Sequence, residues 1–210
     1  MKNVLPSVLA SLVNTPPCLA PDVDGQTSPR VRMLLNRLVA TIPPDESYFE
    51  VGCLKGATLI SALLDHHNID AYACDNFSLF KELEADKYLL ANLKRYGSRL
   101  PSVKFFNEDC FGLPAKKPFN RPIGLFFYDG DHKCAAQKLA VTAFLPLLAK
   151  NAIMIIDDWN WDYVRTGTFD GLKEANPKKI EKYEIICGGP PNGDVNSWWN
   201  GIGAFYVEQA

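Results

Sequence analysis

The chain has 210 residues, with 22 Lys and Arg against 24 Asp and Glu and a formal net charge of -2. That length buries a sizeable single core and demands no second domain. Its basic residues are scattered rather than striped and no long uninterrupted apolar span occurs, which excludes a nucleic-acid partner and a membrane crossing and favours small-molecule or protein partners.

Residues 1–26 are rich in proline and carry no sustained period, so they read as an arm laid over the body or a mobile leader ahead of a single domain spanning 27–210. Pro6, Pro16 and Pro17 interrupt the weakly apolar stretch that a secretion signal would need, and a cytoplasmic protein is expected. The six cysteines (Cys18, Cys53, Cys74, Cys110, Cys134, Cys187) contain no CxxC pair. They read as small buried hydrophobes of a reducing compartment rather than as a disulfide framework.

Thr27 or Ser28 ahead of Pro29 is a helix start, a capping oxygen followed by a residue preset for the first turn. Val31, Leu34, Leu35, Leu38 and Val39 continue it as an apolar stripe, and Pro43 and Pro44 end it. Strands are then predicted at 48–51, 71–74, 103–107, 123–128, 152–156, 183–187 and 202–207, with helices at 57–64, 79–95 and 135–148. The alternation implies an α/β fold: a Rossmann-like, doubly wound, seven-stranded sheet, mostly parallel. The connection 188–200 has no room for a crossover helix, so the last two strands form an antiparallel hairpin with one reversed edge strand.

Three apolar runs stop abruptly at glycines or carboxylates: Tyr48 to Gly56 (YFEVGCLKG), Leu125 to His132 (LFFYDGDH) and Ile153 to Trp159 (IMIIDDW). In an open parallel sheet the residues past such ends line the ligand crevice. Gly52 and Gly56 follow a strand and open a helix, yet Leu54 stands where a dinucleotide fingerprint needs its second glycine, and Glu50 would repel phosphate. A ligand without phosphates that carries a cationic amino acid suits Glu50 instead. Asp75, ending the second strand, is placed to bridge ribose hydroxyls, and Asp109, after Glu108, to accept from an adenine amino group. Singly, each also reads as a turn former or helix cap.

With these residues the chain resembles the class I S-adenosylmethionine-dependent methyltransferases, in particular the small-molecule O-methyltransferase branch that includes the macrocin and mycinamicin sugar O-methyltransferases. The likeness runs from Tyr48 to Trp159 and rests on Glu50-x-Gly52-x-x-x-Gly56, Asp129-Gly130-Asp131-His132 and Asp157-Asp158 together. It implies Asp129, Asp157 and Asp158 as Mg²⁺ ligands and His132 as general base. It implies S-adenosyl-L-methionine held by Glu50, Gly52, Gly56, Asp75, Asp109 and Asp129. Hard carboxylate oxygens independently favour Mg²⁺, Mn²⁺ or Ca²⁺. Asp131 is either a helix cap, a partner of the site, or the base or ligand itself.

The implied reaction is methyl transfer to a hydroxyl of a small molecule. Sugar hydroxyl, catechol-like phenol and another small polyol all stay open as acceptor, since this chain carries a short leader where the sugar enzymes carry longer N-terminal segments. Trp159, Trp161 and Tyr163 either wall the acceptor pocket or pack in the core, and Trp198 and Trp199 belong either to a lid or to a homo-oligomer contact. His66 and His67, at a helix end, read as surface residues. Residues 159–177 show no decodable pattern. Rival readings are a metal-independent methyltransferase, a non-catalytic adenosyl-binding protein and, more distantly, an NAD(P)-dependent oxidoreductase.

Overall fold

The computed structural model describes residues 3–79, 83–188 and 197–209. Strands β1 (Ser47–Val51), β2 (Asp70–Cys74), β3 (Val103–Phe106), β4 (Ile123–Tyr128), β5 (Leu148–Ile156), β6 (Lys179–Ile185) and β7 (Ile202–Glu208) form one sheet. Its order is β3-β2-β1-β4-β5-β7-β6. The pairs among β1 to β5 are parallel, whereas β7 runs antiparallel to both β5 and β6. The reversed strand of the predicted hairpin is therefore β7, and it lies one place in from the edge, which β6 occupies.

Helices α1 (Val4–Ala10), α2 (Pro29–Val39), α3 (Ala57–Leu63), α4 (Ala85–Tyr96), α5 (Leu113–Lys116), α6 (Cys134–Phe144) and α7 (Asp162–Ala175) complete the chain. Every residue of β1 and β4 is buried. This follows from helices on both faces, which make the strands read as continuous apolar runs rather than alternating ones. Tyr48, Leu125, Phe127, Ile153 and Ile155 face a core shared with α2, α3 and Leu89 of α4. Phe49, Val51, Phe126, Tyr128, Met154 and Ile156 face the other, shared with α5, α6 and α7.

Local chemistry explains the ends. Ser28 is the cap of α2, its Oγ accepting from the Val31 amide at 3.3 Å. The predicted helix 135–148 stops at Phe144, since Pro146 diverts the chain into a short 3-10 turn over Leu145–Leu147. Helix α4 begins at Ala85 rather than at 79, and residues 80–82 lie outside the described residues.

Three helices lacked a sequence signal. One is α1, whose Leu5 is fully buried, and another is the single turn α5. The third is α7, inside the stretch that showed no pattern. Gly167 and Gly171 lower its intrinsic propensity, yet both are required by packing. A Cβ on Gly167 would lie 2.2 Å from the Cys134 carbonyl oxygen of α6, and one on Gly171 would lie 2.7 Å from Val141 Cβ.

The segment 19–24 is held by specific bonds. The buried Arg32 guanidinium donates to the carbonyls of Leu19, Ala20 and Val23 at 3.1, 2.8 and 3.0 Å. Lys55, in the loop after β1, pairs with Asp24 at 2.6 Å.

Candidate active site

The carboxyl ends of β1 to β5 open into one cavity of about 900 Å³, within the size range of small-molecule sites. Strand β1 runs into Gly52 at φ +88°, where a Cβ would lie 1.9 Å from the Asp129 carbonyl oxygen. The Asp129 amide in turn donates to the Val51 carbonyl at 2.8 Å, so the exits of β1 and β4 are pressed together. Gly56 sits at φ +90°, with a Cβ position 2.8 Å from Leu89 of α4. Both glycines thus serve a tight turn and close packing. Leu54 lies between them, itself left-handed at φ +45°, and lines the cavity.

Asp75 joins two loops at the cavity edge. Its Oδ2 accepts from the Leu54 amide at 2.9 Å and its Oδ1 from the Phe77 amide at 2.8 Å. Asp109 also lines the cavity, and its Oδ1 accepts from the Phe111 amide at 3.0 Å, capping the 3-10 turn Cys110–Gly112. Neighbouring Glu108 is paired with Lys116.

Glu50 lies elsewhere. Its side chain is fully buried on the α3 face of β1, accepting from the Tyr48 hydroxyl at 2.5 Å and the Thr58 hydroxyl at 2.6 Å, and it is absent from the cavity lining. The carboxylate expected at a ligand's cationic end therefore stands behind the cavity wall. Burial pushes its pKa up to about 8, against the opposing pull of the Thr58 and Tyr48 hydroxyls.

Asp129, ending β4, and Asp158, past β5, converge with His132. One donor atom from each lies within 4.8 Å of the others. His132 Nε2 stands 2.8 Å from Asp158 Oδ2 and 3.8 Å from Asp129 Oδ1. Hydrogen bonding to the accepting carboxylates of Asp129 and Asp158 raises the His132 imidazole to about 10, while burial, and then the Asp158 charge, raise Asp129 to about 7. The cluster is short of positive charge, which the imidazolium supplies only in part.

Asp157 lines the same cavity but stands apart from the converging group. Its buried carboxylate turns back on the chain, Oδ1 accepting the Asp158 amide at 2.9 Å. That bond supports Asp158 at φ +54°, a left-handed position that Asp tolerates better than most residues. Asp131 also points away from the cluster: its Oδ1 accepts from the Lys133 amide at 3.0 Å and its Oδ2 pairs with Lys133 Nζ at 3.2 Å, at the entry to α6.

The aromatic residues divide. Trp159 is core, packed edge-on against Phe169 and Phe205 with ring centroids at 5.5 and 5.4 Å. Trp161 lines the cavity and meets the His132 ring at 5.6 Å, backed by a half-exposed Tyr163 at 5.2 Å. Trp198 packs on the α2–α3 core, and Trp199 lines the cavity. Of the loop read as a lid, residues 189–196 lie outside the described residues. His66 is half-buried, its Nε2 without a partner, and His67 is exposed.

Sequence reasoning passed over Asn200 and Asn160. The Asn200 Nδ2 donates to Asp158 Oδ1 at 2.6 Å, and Asn160 brackets the Cys187 backbone, donating to its carbonyl at 3.0 Å and accepting from its amide at 2.9 Å. The only local signal was Asn200-Gly201, a turn dipeptide.

A family model described as a methyltransferase domain matches residues 49–159, from within β1 to just past β5 and over half of the chain. The chain belongs to this methyltransferase family. Its sheet order and its solved-structure relatives identify the class I S-adenosylmethionine-dependent methyltransferase fold. Cofactor-bound Rv0187 from MTB aligns with a TM-score of 0.62 at 14% identity over 99% of this chain and 91% of its own. The O-methyltransferase from Bacillus cereus in complex with SAH aligns at 0.59 and 13%, over 98% and 91%. The O-methyltransferase TomG from Streptomyces achromogenes, involved in tomaymycin synthesis and in complex with SAM, aligns at 0.63 and 14%, over 90% and 83%. No curated protein matches the sequence.

Proposed function

We propose that the chain transfers the methyl group of S-adenosylmethionine to a hydroxyl of a small molecule, with a divalent cation held by Asp129 and Asp158 beside His132. The observation that carries this is the convergence of two carboxylates and an imidazole at the edge of the cavity built by the strand ends. Hard oxygens with one imidazole suit Mg²⁺ or Mn²⁺, with Ca²⁺ the looser alternative. The two converging carboxylates, with Asp157 behind them and both Asp157 and Asp129 held above their ordinary pKa, leave room for added positive charge.

In this reading Asp75 takes the ribose hydroxyls, Asp109 the adenine amino group, and the loop from Gly52 to Gly56 together with Asp129 surrounds the amino-acid end. Glu50 ties β1 to α3 through Tyr48 and Thr58 behind the cavity wall rather than touching the ligand. The cation, when bound, lowers the pKa of the acceptor hydroxyl and orients its oxygen. With positive charge placed against Asp129 and Asp158, the imidazolium would release its proton to solvent, and the neutral His132 Nε2 would then take the acceptor proton. The oxygen then attacks the methyl carbon, the carbon–sulfur bond breaks, and neutral S-adenosylhomocysteine leaves. Trp161 holds one wall of the acceptor space. Alignment does most of the work, since the sulfonium is already a strong electrophile. No helix among the described residues is long and apolar enough to cross a membrane.

A second reading, a metal-independent transferase, is favoured by one observation: His132 already stands between the two carboxylates as a built-in counter-charge. Calorimetric titration of S-adenosylhomocysteine, followed by transfer of labelled methyl to a panel of hydroxylated acceptors with Mg²⁺ or with EDTA, separates the two. Binding lost in Asp75→Ala and kept in Asp158→Ala, with transfer abolished by EDTA and restored by Mg²⁺, is the expected result. Transfer that persists in EDTA selects the metal-independent reading. A wild type that does not bind S-adenosylhomocysteine overturns both.

A further inference from the structure

Within the family-matched segment 49–159, Asp158 Oδ2 meets His132 Nε2 at 2.8 Å, and what holds the other oxygen is left open there. The Asp157 carboxylate accepts from the Asp158 amide and so sets its backbone rather than its side chain. The side-chain partner of Asp158 Oδ1 comes from beyond the matched segment, in the turn ahead of β7. There Asn200 Nδ2 donates at 2.6 Å, leaving Oδ2 directed at His132 Nε2 at 2.8 Å. A carboxylate is planar, so a bond that holds one oxygen fixes the direction of the other.

The turn itself is fastened to the rest of the molecule. Its Ser197 carbonyl accepts from the Ser28 hydroxyl at 2.8 Å, the same hydroxyl that caps α2. The Asn200 carbonyl accepts from the Asn160 amide at 2.7 Å, and the Gly201 carbonyl from the Trp159 amide at 3.2 Å. Gly201 adopts φ +87°, and a Cβ there would lie 2.5 Å from both Asn160 Oδ1 and the Ile185 carbonyl oxygen, so only glycine lets the turn close this tightly. Asn200 is nearly fully buried and lines the cavity.

We propose that Asn200 is a positioning residue for the cation site: through its amide it fixes the Asp158 carboxylate so that one oxygen faces the space shared with Asp129 and His132. This rests on the divalent-cation reading above. Outer partners that orient ligating carboxylates are typically worth roughly ten- to a hundredfold in metal affinity.

The test is calorimetric titration of Mn²⁺ into protein saturated with S-adenosylhomocysteine, for wild type, Asn200→Ala and Asn200→Asp. Asn200→Ala is expected to bind Mn²⁺ about tenfold or more weakly while keeping its affinity for S-adenosylhomocysteine, a split that general loosening of the fold would not produce. Asn200→Asp replaces the donor by a like charge against Asp158 and is expected to fall at least as far. Mn²⁺ affinity unchanged in Asn200→Ala overturns the inference and leaves the cation reading standing. Affinity at or above wild type in Asn200→Asp makes residue 200 a ligand and also overturns the positioning role. A wild type that takes up no Mn²⁺ fails the cation reading, and the inference falls with it.

Discussion

Glu50 shows how one side chain changes meaning between sequence and structure. In the string YFEVGCLKG it reads as a carboxylate offered to a ligand, because nothing local reveals that Tyr48 and Thr58 will close over it. Its folded pKa of about 8 lies above the ordinary 4.5, so the folded chain holds a proton there that the unfolded chain gives up. The associated stability is fully present below pH 4.5 and is lost as pH rises toward 8. Glu50→Gln is therefore expected to melt higher than wild type at pH 8 to 9, with the gap closing toward pH 5. Equal pH slopes in thermal melts of the two proteins would refute this. The string Asp129-Gly130-Asp131-His132 and the Asp157-Asp158 pair were legible because each sits within a few residues of a strand end. What the string could not reveal is which carboxylates turn inward: Asp157 and Asp131 are claimed by neighbouring amides, a choice made by backbone conformation. Asn200 was illegible for another reason, since it meets Asp158 only after the sheet brings β7 beside β5.

Among the elements, the inner strands were readable because burial on both faces leaves uninterrupted apolar runs, whereas β6, expected at 183–187, runs over Lys179–Ile185 with alternate residues exposed. Strand β5 was read short, starting at 152 rather than Leu148, since the exposed Lys150 and Asn151 interrupt its run. Helix α7 was not readable at all. Its glycines are chosen for the partner helix rather than for its own propensity, and that partner is invisible in a linear pattern. Gly167→Ala puts two known effects in opposition: a gain of about 1 kcal/mol in helix propensity against overpacking of about 1–3 kcal/mol. The Cys134 carbonyl at 2.2 Å is backbone and yields little, so the clash wins. Urea unfolding is expected to show a net loss of about 1–2 kcal/mol, and a stabilised variant would mean that α6 and α7 are less tightly apposed than described.

At the scale of the molecule, the alternation of strands and helices was enough to predict a doubly wound sheet, because parallel strands need crossovers and a crossover needs a helix. The insertion of β7 between β5 and β6 was not readable, as a hairpin specifies only that its two strands pair, not which of them joins the sheet. Ligand binding should register across this whole body. At free S-adenosylhomocysteine one hundred times its Kd, linkage adds about 2.7 kcal/mol, which for a chain of this length is expected to raise Tm by roughly 5–10 °C. No shift in a thermal melt would count against the cofactor assignment. The contact of Gly52 with the Asp129 carbonyl has a bearing on how such an enzyme reaches its reactive geometry. In the proposed reaction one of these two strand exits cradles the methyl donor and the other anchors the acceptor, and transfer requires reacting atoms about 3–3.5 Å apart. With backbone abutting backbone, that span is set by a single rung of the sheet. The gap between donor and acceptor then inherits the stiffness of the core, and its precision is present before either substrate arrives.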